Sequence, residues 1–320
     1  MTMLCRTANE LYWMARHIER AENMARLLDV TYRMSLLPYQ AVEPGLAWAE
    51  PWAVPLITNG LATSYYERYP ELSAESVLRF MLLDASNPSS IWSCMRSARE
   101  SARSVRGAIT SEMYEDLNSS WLDIRQYDFA RVQQMGVSAF LDWVKMRSHL
   151  FRGVTFGTML RDEAYHFIRL GTHLERADNT ARILDVKYHT LLPSAADVGG
   201  AVDYYQWSAL LRSVSGFESY RKIYSDIITP FRVAELLILR DDMPRSLHSC
   251  MTFIFDTLKL LSDRNTREIE RQAGELHSRL RFARMEEIID FGLHEYLMNF
   301  LDRIGALAAE INRGFLAPSY

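Results

Sequence analysis

The chain has 320 residues, a net charge of −4 with a pI near 6.1, a hydrophobic fraction of 48% and a mean hydropathy of −0.14. That balance predicts a soluble globular protein able to bury a substantial core, and it lacks the basic excess of a nucleic-acid binder. No apolar run approaches the roughly 18 residues needed to cross a bilayer, so neither nucleic acid nor membrane is an expected partner.

Cys5, Cys94 and Cys250 are odd in number and show no CxxC spacing, which argues against a disulfide framework and against structural zinc. The opening MTMLCRTANELYW has no basic segment followed by an apolar one, so the expected compartment is the cytoplasm. Glycine (14) and proline (10) are sparse, which favours long uninterrupted helices.

Residues 4–36 read as one long amphipathic helix. Met14, Ala21, Met24, Ala25 and Leu28 recur at helical spacing as an apolar face, and Arg16, Glu19, Asn23 and Arg26 step along a polar stripe. Pro38 closes this helix, and residues 38–51 form a loop. Helices are predicted over 52–68 and 73–83. Another begins at Asn87-Pro88, with Asn87 as N-cap and Pro88 in the first turn. Further helices cover 111–126 and 138–155, and Gly153 with Gly157 marks a break. A second long helix spans 158–192 and is closed by Pro193, with Gly199-Gly200 in the loop beyond. The remaining helices are placed at 203–226, 230–240, 244–263, 265–280 and 284–315. No strand pattern is present.

The stretch HIERAENMARLLDVTY (His17 to Tyr32) recurs as HLERADNTARILDVKY (His173 to Tyr188), with 11 of 16 positions identical at an offset of 156. The same offset relates Pro88 to Pro244 and Cys94 to Cys250, so a whole multi-helix unit is duplicated. Fold class is therefore all-α: two duplicated helical-bundle repeats (1–156 and 157–320) related by a pseudo-two-fold axis, each carrying one of the long helices.

The retained polar residues are the leading site candidates: His17, Glu19, Arg20, Asn23 and Arg26, with His173, Glu175, Arg176, Asn179 and Arg182 as their copies. Neighbouring helical residues point about 100° apart, so Glu and Arg within each pair cannot bridge one another. If the long helices pack together, Glu19 meets Arg176 or Arg182 while Glu175 meets Arg20 or Arg26. Such a network sets the register between the halves. The alternative is a charged pocket in which Glu acts as acid or base, or Arg holds a carboxylate or phosphate.

A second stripe, Arg96, Arg99, Arg103 and Arg106, follows steps of 3, 4 and 3 and is replaced by Thr252, Phe255, Lys259 and Ser262 at the offset of 156. It is either a face for an acidic partner or anion, or a solvated surface paired with Glu100, Glu112, Glu115 and Asp116. Glu163-x-x-His166 has di-iron spacing, with His173 two turns on. The first copy offers Thr7-x-x-Glu10 instead, and no metal site is assigned. No phosphate loop, nucleophile elbow or HExxH motif is present.

The segments MLCRTANELYWMARHIERAENMARLLDV, NPSSIWSCMRSARESARSVR and GTMLRDEAYHFIRLGTHLERADNTARILDV closely resemble the bacterial alpha-E family, helical proteins named for their "ER" motif. Glu19-Arg20 and Glu175-Arg176 match that motif. The resemblance covers essentially the whole chain. It implies a cytoplasmic helical protein encoded beside, or fused to, a circularly permuted ATP-grasp protein, with transglutaminase-like and proteasome-like proteins as further neighbours. On that resemblance the chain is a non-catalytic accessory subunit in ATP-dependent peptide or amide-bond formation. ATP and Mg would belong to the ATP-grasp partner, and the chain itself would hold no cofactor.

Overall fold

Neither proline nor glycine interrupts residues 5–35, and the first long helix, α1, runs Cys5–Ser35 without a break. The computed structural model describes residues 3–35, 51–190 and 201–317, leaving aside the side chains of 186–190 and 201–203. After α1 come α2 (Ala53–Thr58), α3 (Ala62–Tyr66), α4 (Ala74–Leu82), α5 (Ile91–Ser104), α6 (Ser111–Ile124), α7 (Phe129–Met135) and α8 (Val137–Thr158). The second long helix, α9, spans Glu163–Thr190. It is followed by α10 (Ala201–Ser213), α11 (Phe217–Tyr224), α12 (Pro230–Ile238), α13 (Leu247–Leu261), α14 (Arg267–Phe282), α15 (Met285–Phe291) and α16 (Leu293–Ile311). The described residues contain no strand, so the fold is all-α.

Several boundaries differ from the sequence expectation. The helix expected over 52–68 is broken at Asn59–Leu61 into α2 and α3, and the one expected over 203–226 is broken at Val214–Gly216 into α10 and α11. The span 284–315 is divided at Gly292, whose φ of +107° suits glycine. Gly136, at φ +96°, makes the same corner between α7 and α8. No break occurs at Gly153 or Gly157. α8 continues through both to Thr158, and the turn follows at Met159–Asp162. Asn87 is not an N-cap: Ser90 is, its Oγ accepting from the Ser93 amide at 3.1 Å. Asn87 instead builds the preceding turn, donating to Phe80 O and accepting from the Ser89 amide. Pro38, Pro193, Gly199-Gly200 and nearly all of the 38–51 loop lie outside the described residues.

Element positions recur along the chain. α4 and α12 start at 74 and 230 and end at 82 and 238, an offset of 156 at both ends. Ser90 and Ser246 cap α5 and α13, and each hydroxyl also donates back to a carbonyl six residues earlier, of Asp84 and of Arg240.

The two long helices pack side by side. Contact numbers rise together on both, from Met3 with Glu163, through Arg16 with Glu175, to Glu19 with Arg176, so the helices run in the same direction. A Cβ placed on Gly171 would lie 2.3 Å from the Tyr12 carbonyl oxygen, so glycine is what permits this approach. Helix α5 packs on α1, and α13 on α9. The apolar core falls into two clusters, and α1 enters both. Its Ala8–Ile18 half sits with α9 and the C-terminal helices, whereas Ala21–Leu28 sits with α2–α5, α7 and α8. Glu19, Arg20, Glu22 and Asn23 occupy the changeover.

Candidate functional site

At this changeover the polar stripe of α1 turns inward and meets its copy on α9. Arg176 holds Glu19 in a fork, Nε and a terminal nitrogen each donating at 2.9 Å to a different carboxylate oxygen. Arg20 grips Glu175 in the same way at 2.6 and 2.9 Å. Forked guanidinium–carboxylate pairs of this kind are the strong, orientation-specific ones. Of the two pairings open from sequence, the exchange of Arg20 and Arg176 is the one found. Arg26 and Arg182 bond carboxylates of their own helices, Glu22 at 2.8 Å and Asp178 at 2.7 Å, and Arg26 also meets His149 Nε2 of α8 at 3.1 Å.

Each central carboxylate receives further arginines, and these differ between the halves. Arg16 donates to Glu175 at 2.8 Å. Glu19 receives Arg245 at 2.9 Å and Arg152 at 3.2 Å. Arg245, itself buried between α12 and α13, also reaches Asn23 Oδ1 at 2.9 Å and Glu22 at 2.6 Å. Ser148 Oγ donates to Glu22 at 2.6 Å, and Arg152 pairs with Glu22 as well. The repeat comparison singled out neither Glu22, Arg152 nor Arg245 as part of this network. Glu22 was visible as the partner four residues before Arg26. Arg152 and Arg245 were not, because Ala308 and Ser89 stand at the corresponding positions of the other copy.

The electrostatics follow from this crowding. Burial works to raise the Glu175 carboxyl, but Arg20 and Arg16 outweigh it and hold its pKa at about 2. Burial opposes ionisation of Glu19 as well, and Arg176 with Arg245 lowers its pKa below the usual carboxylate value. Both carboxylates are therefore ionised, buried and saturated by donors. A general base needs a free lone pair, access to substrate and a pKa near the working pH, and neither glutamate meets these conditions.

The repeated histidines flank the lock without bonding to it. His173 is buried and stacks on Phe253 with ring centroids 4.3 Å apart, and neither of its ring nitrogens has a hydrogen-bond partner. Burial, aided by Arg176 and Arg169, puts its pKa well below the ordinary value. Half-buried His17 lies against Trp13, and burial with the nearby Arg20 charge lowers it to about 4. Both rings are neutral plates at physiological pH. Asn179 is half-buried and outside the network.

The second stripe lies on α5 and the turn after it. Arg96, Arg103 and Arg106 are exposed and Arg99 is half-buried. Arg99 bonds Glu100 at 2.6 Å and Asn118 at 3.2 Å, and Arg103 reaches Glu100 at 3.4 Å. Arg96 and Arg106 lie over the rings of Trp92 and Tyr114. Glu112, Glu115 and Asp116 make no ion pair with the stripe, so one carboxylate serves two of its cations. At the di-iron-like spacing, Glu163 accepts the Met3 amide at 2.9 Å. Among the described residues no group of three or more His, Cys, Asp or Glu is arranged to hold a metal, and no helix is long and apolar enough to cross a membrane.

Comparison with known proteins places this chain in a family. Uncharacterized proteins of Mycobacterium bovis and Mycobacterium tuberculosis are 24% identical over 327 aligned residues, which take in 96% of this chain and 36% of each relative. The chain thus spans about a third of the length of the curated relatives it matches. No solved structure matches. The family model Alpha-E, described as a predicted alpha-helical domain with a conserved ER motif, matches residues 3–316. Two Glu-Arg dipeptides stand in this chain, Glu19-Arg20 and Glu175-Arg176, and the chain belongs to the Alpha-E family.

Proposed function

We propose that this chain is a non-catalytic helical subunit that works with an ATP-grasp ligase in ATP-dependent peptide or amide-bond formation, helping to form or present the acceptor-substrate site. The observation that carries the non-catalytic part is the saturation of Glu19 and Glu175 by buried arginines. The motif that defines the family is spent on joining α1 to α9 and has no free acceptor for a substrate proton. The ligase partner is an inference from the family resemblance. In the relatives the matching region makes up 36% of the length and is joined to further polypeptide, as expected of a unit that works beside another. The exposed part of the non-repeated arginine stripe is the proposed docking face, and ATP and Mg belong to the partner.

The test is co-purification with the adjacent ATP-grasp protein, with ATP turnover assayed over a panel of amino acids and peptides. Turnover that requires both chains is expected. Arg96→Glu with Arg103→Glu should weaken the complex about tenfold or more, as reversal of exposed complementary charge does. Unchanged binding would remove the stripe from the interface. Substrate conversion by this chain alone would overturn the reading.

A further inference from the structure

A cleft of about 700 Å³ opens between the C-terminal half of α1, the middle of α8, and the α10–α11 corner. Its charged lining is Arg26, Arg33, Lys145 and Arg212 against Asp29 and Glu218, an excess of two positive charges. Asp29 is already committed. It accepts from Arg33 and Lys145 at 3.0 Å each and from Ser138 at 3.1 Å, which fixes two of the cations in place. Arg26 is anchored by Glu22 and extends the arginine-rich lock to the cleft wall. Arg212 is exposed and stacks over Phe217 at 3.9 Å with no carboxylate partner. Ser208 lines the same cleft, and its buried hydroxyl has no hydrogen-bond partner. Leaving a buried hydroxyl unpaired is costly, and an acceptor bound in the cleft would relieve that cost.

The polar lining of the cleft is not repeated at the corresponding positions of the other half. Lys145 is answered by Leu301 at the offset of 156. In α2 and α10 the offset is 155, set by Trp52 with Trp207 and by the buried Tyr65 with Tyr220, so Arg212 is answered by Ile57 and Ser208 by Ala53. Three polar groups of one cleft are apolar on the opposite side, although the framework around them is matched. Packing needs common to both sides do not explain that difference.

We propose that this cleft binds a small organic oxyanion, a carboxylate or a phosphate ester carrying a planar or apolar group. Arg212 and Arg26 supply charge-assisted donors and Ser208 Oγ–H a neutral one. Tyr204 and Tyr205, both exposed at the rim, offer ring faces to the remainder of the ligand. The inference stands apart from the ligase reading, because it concerns this chain alone.

The experiment is calorimetric titration of the purified chain with N-acetylphenylalanine, AMP and inorganic phosphate. Saturable binding of one organic probe is expected. N-acetylphenylalanine identifies a carboxylate ligand and AMP a phosphate ester. Arg212→Ala should weaken it about tenfold or more with an unchanged melting temperature, because the side chain is exposed. Arg303→Ala, on α16 and outside the cleft lining, should leave it unchanged. The proposal is overturned if none of the three probes binds, if inorganic phosphate alone binds, or if Arg212→Ala binds as tightly as the parent.

Discussion

Glu19 and Glu175 hold equivalent places, yet their surroundings predict unequal costs of neutralisation. Glu19→Gln leaves Arg176, Arg245 and Arg152 facing a neutral amide, and the first two side chains are only 10% and 8% exposed. Glu175→Gln leaves Arg20 and Arg16, at 24% and 16%, better able to turn to water. Breaking a buried pair by removing one partner costs about 3–5 kcal/mol. Glu19→Gln should fall in that range and Glu175→Gln below it, as read by urea denaturation. Equal losses would mean that the outer arginines do not matter. The forked pairs were half legible beforehand, because the repetition flagged the residues and the helical angle forbade pairing within one motif. The choice between Arg176 and Arg182 was not legible, because both lie within reach of Glu19 until the direction and register of α9 are known.

The central element is the α1–α9 contact, and its closest point is Gly171 against the Tyr12 carbonyl. Gly171→Ala should destabilise the protein by about 2 kcal/mol or more despite alanine's better helix propensity, whereas Gly153→Ala, whose Cβ would meet nothing within 4 Å, should be neutral or stabilising. Thermal denaturation of the two variants separates close packing from propensity. Both glycines look alike in sequence: Gly153 reads there as part of a break, and Gly171 is simply one residue of the second long helix. The long helices were legible because their periodicity runs over many turns without a breaker. The corners at Gly136 and Gly292 were not, because the seven-residue helices α7 and α15 are too short to show a period of their own.

For the whole molecule, the buried ionisable groups set a particular acid response. His17 is about 4 in the folded chain against 6.5 when free, so unfolding takes up protons between those values and stability falls as pH drops through them. Glu175, at about 2 against 4.5, continues the loss at lower pH. Asp116 acts in reverse. Burial raises it to about 6 although Arg147 pulls it down, so its contribution is lost as pH rises from 3.8 to 6. Stability measured by chemical denaturation from pH 7 to 4 should decline, more gently in His17→Gln and more steeply in Asp116→Asn. A flat profile in the parent would show that His17 is accessible to protons in the folded state. None of this was legible in sequence, because burial of a lone histidine or aspartate depends on helices far away in the chain.

Helix α1 contributes to both apolar clusters and receives its ionic partners from residues 157 and 226 positions further on, Arg176 and Arg245. During synthesis it emerges well ahead of both partners, and its surroundings cannot be completed until Arg245 has followed. Until then Glu19 and Glu22 have only water and local partners, and both apolar flanks of the helix wait for surfaces not yet made. Contacts so distant in sequence are slow to form and leave early segments open to wrong associations. Helix α1 is therefore made before the residues that complete it and is among the last elements to reach its final surroundings.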